Sequence, residues 1–291
     1  MGNLLVMPKS IDFDYIEEID GVIVGLKDYA VAINLELSVT EILKLKERIG
    51  TKKLFVVINK NLFNKEIPYI EEVLEKLENK VEGVFFYDLA ILSICQRKKL
   101  SLPLVWNQTH MVTNYNTCNY YYKEGVKYAS LSLEITALEM KEIKEQSSIE
   151  PIVYVFGRNT VAHSKRKLLT NYFKHYKKEK ENSTYKIKER VSQSDYDVYE
   201  DKNGTTIVRD EILNGVHALY DLKKAGISYF ILDEVVDRES FKEIIACYRQ
   251  CLLDKDEKDK EKNVKKVEEI TGSSYEGFFY KKTVYKVKKN G

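Results

Sequence analysis

Short apolar runs alternate with helical patterns along most of this chain, and that rhythm restricts its possible folds more than any motif does. β-branched or aromatic runs fall at 4–7, 21–26, 54–58, 84–87, 104–106, 128–133, 152–156 and 229–232. Between them lie helical patterns at 12–19, 39–49, 67–77, 90–97, a stretch ending at 119–123, 137–145, 212–225 and 240–252. Ser10 and Ser38 stand where N-caps are wanted, Pro68 falls in a first helical turn, and Gly50 and Gly226 follow helix ends. Strands that alternate with helices pair in parallel, and eight such units predict closure into a (β/α)8 barrel rather than an open sheet.

The expected fold is therefore α/β, a TIM-like barrel over 1–253, and the spacing predicts two additions. Strands seven and eight are separated by about 70 residues, which assigns 158–226 to a lid inserted after strand seven, with its own helix. Inside it, Asn203-Gly204 is a hairpin signal between 198–200 and 205–208. A run of nine charged residues opens at Asp254, so 254–268 reads as a linker or helix extension. The aromatic and β-branched end, 269–291, reads as a small C-terminal β segment.

Charge is unevenly spread. The formal net charge is only +2, yet 158–190 carries eleven Lys or Arg against three Glu. Such a block on an otherwise acidic body points to anions or nucleic acid. Gly157-Arg158 reads as a turn after strand seven, leading to Ser164, Lys165, Arg166 and Lys167 at a helix start, with Asn171 beyond. Those groups suit a phosphate or carboxylate. Lys174, Lys177, Lys178 and Lys180 interleave with Tyr172, Phe173 and Tyr176, a pattern fit for RNA, where cations meet phosphates and rings stack on bases.

In a barrel the loops after the strands share one face. On it the reading places Lys9, Asp28, Asn59, Asp88, Glu134 and Asp233, with Asn107, Gln108, Asn114 and Tyr115 shaping a polar pocket. His110, Cys118 and His163 are the catalytic candidates, none with a base partner that spacing identifies. The four cysteines have no metal-ligand spacing and are expected to be reduced thiols. The N-terminus has no basic region before its short apolar run, and no run approaches the length of a membrane helix, so a cytoplasmic protein is expected.

Several segments resemble the collagenase-like peptidase family. They are Thr113–Tyr120, the stretch Gly157…Ser164-Lys-Arg-Lys-Leu-Leu-Thr-Asn-Tyr172, the hairpin Glu200-Asp-Lys-Asn-Gly-Thr205, and the ending Gly277-Phe-Phe-Tyr…Thr283-Val-Tyr-Lys-Val-Lys288. The resemblance implies a barrel and a part in 5-hydroxylation of the wobble uridine of tRNA. Prephenate would be the small molecule and a larger homologue the partner subunit. Peptide hydrolysis, or a non-catalytic role beside that partner, are the alternatives it leaves. Cluster-bearing relatives place a cysteine where this chain has Lys167, and no cysteine lies between Cys118 and Cys247, so no iron–sulfur cluster is expected.

Overall fold

A ring of parallel strands organises the computed structural model, which describes residues 2–190, 194–272 and 274–281. β1 (Asn3–Met7) and β2 (Gly21–Leu26) begin the ring, and β3 (Glu36–Leu37) is a two-residue strand paired outside it on β2. β4 (Lys53–Ile58), β5 (Gly83–Phe86), β6 (Leu104–Trp106), β7 (Tyr128–Ser130) and β8 (Glu150–Ser164) continue it in order. β9 (Thr184–Lys188), β10 (Asp195–Asp201) and β11 (Gly204–Asn214) lie outside, and β12 (Tyr229–Asp233) closes the ring by pairing in parallel with both β8 and β1. This is the (β/α)8 barrel that the alternation predicts, with extra strands beyond it.

The helices α1 (Val39–Ile49), α2 (Ile67–Leu77), α3 (Ala90–Lys98), α4 (Tyr115–Lys123) and α5 (Ala137–Gln146) follow successive ring strands. The lid holds α6 (Leu168–His175); α7 (Val216–Lys224), α8 (Arg238–Leu253) and α9 (Lys260–Thr271) complete the set. Local chemistry sets several of the ends. Ser38 caps α1 in a box with Glu41, Oγ accepting from the Glu41 amide and the Glu41 carboxylate from the Ser38 amide. A cap of this kind contributes about 1 kcal/mol.

Side-chain alternation divides the core in two. Leu5, Ile23, Phe55, Phe85, Ile152 and Ile231 point into the barrel, while the opposite strand faces pack beneath the helices. Ile152 and Ile231 being inward, the residues two further on, Tyr154 and Asp233, point inward too, at the C-terminal end.

Four local expectations are corrected. Residues 12–19 hold only a 3₁₀ turn, Ile16–Glu18, and Ser10 accepts from Arg238 at 2.8 Å rather than capping a helix. Phe13 and Tyr15 are buried, so packing against the barrel decides this segment. The chain does not turn at Gly157. β8 runs on to Ser164, leaving the ring as one edge of an antiparallel sheet with β11, β10 and β9. The helix expected from 212 starts at Val216, because Ile212–Asn214 pair with Phe156–Arg158 of β8. The hairpin turns one residue early: Asp201 pairs with Gly204, so Lys202-Asn203 form the loop, and the Asp201 carboxylate accepts from the amides of Asn203 and Gly204.

After Leu253, α9 packs on α7 and α8 with Val267 buried. β13 (Ser274–Tyr275) pairs with β11. The motif from Thr283 to Lys288 lies outside the described residues. Among those described, no helix is long and apolar enough to cross a membrane.

Candidate nucleic-acid interface and barrel mouth

The lid has two faces, and the alternation of its strands separates their chemistry. On β10, Val198 and Glu200 face α6, while Asp197, Tyr199 and Asp201 face the other way. Glu200 holds α6 down. It accepts from the Thr170 hydroxyl, the Thr170 amide (3.2 Å), Thr205 Oγ1 (3.3 Å) and Lys180 Nζ (3.2 Å). Burial would raise its carboxyl, but these donors prevail and hold it at about 2.

The outer surface of α6 buries nothing. Tyr172 and Tyr176 are more than half exposed, their rings 4.8 Å apart, and Leu168 is exposed beside them. Arg166, Lys174, Lys177 and Lys178 make no side-chain hydrogen bond or ion pair among the described residues. Free cations around exposed rings match what single-stranded RNA needs.

The other predicted cations are engaged. Arg158 Nη2 bonds Asp197 (2.7 Å) and Asp210 (3.2 Å), and its Nε donates to the Arg209 carbonyl. Lys165 donates to the Asn61 carbonyl at 2.8 Å with its charge 4.3 Å from the centre of the Phe63 ring, and Lys167 donates to the Asp201 carbonyl. Ser164 Oγ accepts from the Arg166 amide at 3.2 Å, and Asn171 is exposed. The +8 block is thus divided: part fastens the lid and part is displayed.

The inner face lies over the barrel mouth. At the hairpin tip Lys202 reaches Asp28 (2.5 Å) and Glu36 (3.1 Å), and Asn203 donates to the Ala30 carbonyl at 3.1 Å. Thr206 bridges two inner-face residues, Tyr199 and His163, whose Nδ1 lies 3.0 Å from Thr206 Oγ1. Burial lowers the His163 pKa.

Below this face, Asp233 Oδ2 accepts from the Tyr154 hydroxyl at 3.1 Å and Oδ1 from Asn34 Nδ2 at 3.2 Å. Burial pushes the Asp233 carboxyl up to about 7, against the pull of Tyr154, Lys9 and Asn34; Glu234 pushes the same way as burial. The Tyr154 phenol is also held protonated by burial and by the neighbouring carboxylate. Tyr199 of the lid feels the same charge.

The backbone is shaped around this pair. β8 carries one extra residue opposite β12 just after Tyr154, a bulge of the kind that re-aims side chains. Gly157 follows at φ +139°, and a Cβ there would overlap the Tyr154 hydroxyl and come within 2.6 Å of the Asp233 Cβ.

The remaining predicted site residues are dispersed. Gln108 is spent inside the wall, accepting from Trp106 Nε1 (3.0 Å) and donating to the Tyr87 carbonyl (2.7 Å). Asn107 precedes it, with its backbone amide bonded to the Phe86 carbonyl. Asn114 caps α4 by accepting from the Thr117 amide, and Tyr115 is exposed at that helix start. His110 faces Glu134 at 3.0 Å across the loops after β6 and β7. Cys118 is fully buried, and burial pushes its thiol up to about 12, which leaves no thiolate to attack a carbonyl.

Comparison with known sequences settles the family: residues 9–289 match peptidase family U32. The chain belongs to peptidase family U32. Within and around that family, tRNA hydroxylation protein P2 of Bacillus subtilis (strain 168) is 28% identical over 284 residues, covering 90% of this chain and 91% of that one. The tRNA hydroxylation protein P1 of the same organism is 25% identical over 158 residues, 53% of this chain and 37% of that one.

In this U32 protein, the pair at the mouth is not apparent from the residues alone. Asp233 was visible only as an acid after a strand, and Tyr154 as one aromatic in an apolar run. The usable signal was their shared position at the C-terminal ends of ring strands, reinforced by Gly157. Among the described residues, no group of three or more His, Cys, Asp or Glu is placed to hold a metal ion.

Proposed function

We propose that this protein works in tRNA hydroxylation, on the wobble uridine, as the smaller of two homologous subunits in the cytoplasm. The observation that carries this reading is the end-to-end similarity to tRNA hydroxylation protein P2, which spans nine-tenths of both chains. The displayed cations and rings on and beside α6 support it, because they offer phosphate and base contacts on one surface. The partial similarity to P1 supports a homologous partner. Prephenate, which the family resemblance brings with it, is in this reading the anionic co-substrate. The cations of the lid base and mouth already have partners, so its carboxylates would fall to the partner subunit.

Two measurements test the proposal. Nucleosides from tRNA of a deletion strain should lack 5-hydroxyuridine derivatives by mass spectrometry; their undiminished presence would sink it. Replacing Arg166, Lys174 and Lys178 together by Ala should weaken tRNA binding about tenfold or more near 0.1 M salt. It should also flatten the dependence of log K on log salt by about 2–3, one unit per lost phosphate contact. A slope unchanged by the triple variant would remove α6 from the interface.

A further inference from the structure

The tRNA reading leaves the polar set at the barrel mouth without a task. Its geometry is that of a prepared site. Each Asp233 oxygen accepts one hydrogen bond, from Tyr154 and from Asn34, and each keeps acceptor capacity for another. Asp233 is half-buried and its partner Asn34 is exposed, so the pair lies at the edge of the mouth rather than in the core. Gly157 and the bulge in β8 make room for this arrangement and for no larger residue.

The surrounding charges narrow the ligand. Lys9 is bonded to the Val236 carbonyl, Lys60 to Glu66 and the Asp28 carbonyl, and Lys202 to Asp28 and Glu36. With its cations engaged and a carboxylate at its centre, the mouth disfavours an anion. It suits a neutral group that donates a hydrogen bond to Asp233 and accepts from nearby donors.

We propose that Asp233 is the base-reading residue of this protein: its carboxylate accepts the imide N–H of a uracil turned out of the anticodon loop into the space between barrel mouth and lid. Asn34 and Tyr199 are the neighbouring donors for the uracil carbonyls, and Tyr154 is the positioning residue that aims the carboxylate. This assignment rests on the tRNA reading above. Enzymes that work on a base take it out of the stack, and a loop base costs least to extrude. Cytosine presents an acceptor at the position where uracil presents the imide N–H, so an ionised carboxylate rejects it.

The test uses the full chain at pH 8, where the Asp233 carboxyl is ionised, and two anticodon stem-loop RNAs differing only by U or C at the wobble position. The wild-type protein is expected to prefer U about tenfold or more, the value of one hydrogen bond to a charged group. Asp233→Asn should bring the U:C ratio to one or below, because its amide turns a donor towards the base, while the salt dependence set by the lid persists. Tyr154→Phe should reduce the preference severalfold with Asp233 still present, which guards against a misfolded Asp233→Asn.

Equal binding of the two RNAs by wild type, or a full U preference in both folded variants, would overturn the proposal. Those results leave the tRNA reading standing if salt-dependent binding and the deletion phenotype remain. Absence of RNA binding together with normal tRNA hydroxylation in the deletion strain brings down both.

Discussion

Asp233 has a consequence for stability that needs no ligand. Its carboxyl sits near 7 in the folded chain against an ordinary 3.8, with Tyr154, Asn34, Lys9, Glu234 and Tyr199 around it. Between those values the folded state binds more protons than the unfolded one, so this residue's contribution to stability falls as pH rises from about 4 to about 7. Asp233→Asn removes that cost. Its melting temperature should exceed wild type by several degrees at pH 8 and by only about two degrees or less at pH 4.5. An equal rise at both pH values would assign the effect to packing instead.

Residue roles of this sort were poorly legible in the sequence. Gln108 and Asp233 are both polar residues after ring strands, yet Gln108 spends its amide on Trp106 and Tyr87 while Asp233 faces the mouth. Which polar atoms are already satisfied depends on partners far away in the chain, and composition does not record them. Cys118 illustrates the same gap, since a thiol in a polar, tyrosine-rich stretch proves to be a core residue.

Among the elements, α6 leans heavily on one side chain, Glu200, beside the Leu168 amide bond to Thr205 and the Phe173–Tyr185 ring contact. It has no buried residue of its own, and Glu200 collects four donors beneath it. Glu200→Ala should speed amide exchange across 168–175 about tenfold or more, lower tRNA affinity, and leave the barrel's unfolding within about 2 kcal/mol of wild type. Because the folded carboxyl lies at about 2, the anchor is intact above about pH 4.5 and is lost as pH falls towards 2. Protection of 168–175 that survives the substitution would show that the aromatic contacts of Phe173 suffice.

Elements with strong local signals were readable. Ser38 and Gly50 bound α1 as expected, and 21–26, 67–77 and 104–106 match their elements to the residue. Those that depend on distant pairing were not. Ile212–Asn214 carry a helix-compatible pattern but have β8 as a neighbour, and Gly157 looks like a turn because glycine so often is one.

At the scale of the whole molecule, the lid is joined to the barrel at its base and at its tip. The tip contact is partly solvated, with Lys202 about half exposed between Asp28 and Glu36, and is worth at most about 1 kcal/mol. Lys202→Ala should therefore leave the melting temperature within about two degrees while increasing exchange at 200–205 and at the facing loop 27–36. It should also raise the on-rate for RNA that must reach the mouth. Unaltered exchange in both segments would mean that Lys165 and Asn203 hold the tip without it. Barrel closure was legible because the alternation repeats over the whole chain; the lid's lean across the mouth was not, since it is set by a few contacts between residues more than a hundred positions apart.

β8 belongs to both bodies without a break. Its first residues are a stave of the barrel, and the rest project roughly 25 Å beyond the bulge as the spine of the lid. The lid is thus a continuation of a barrel strand, tied to the barrel again at its tip, rather than a flap on a loop. A load on the lid reaches the barrel along this strand, at the bulge where Tyr154 meets Asp233. The outer surface of the lid and the pair at the mouth are thereby joined through one strand.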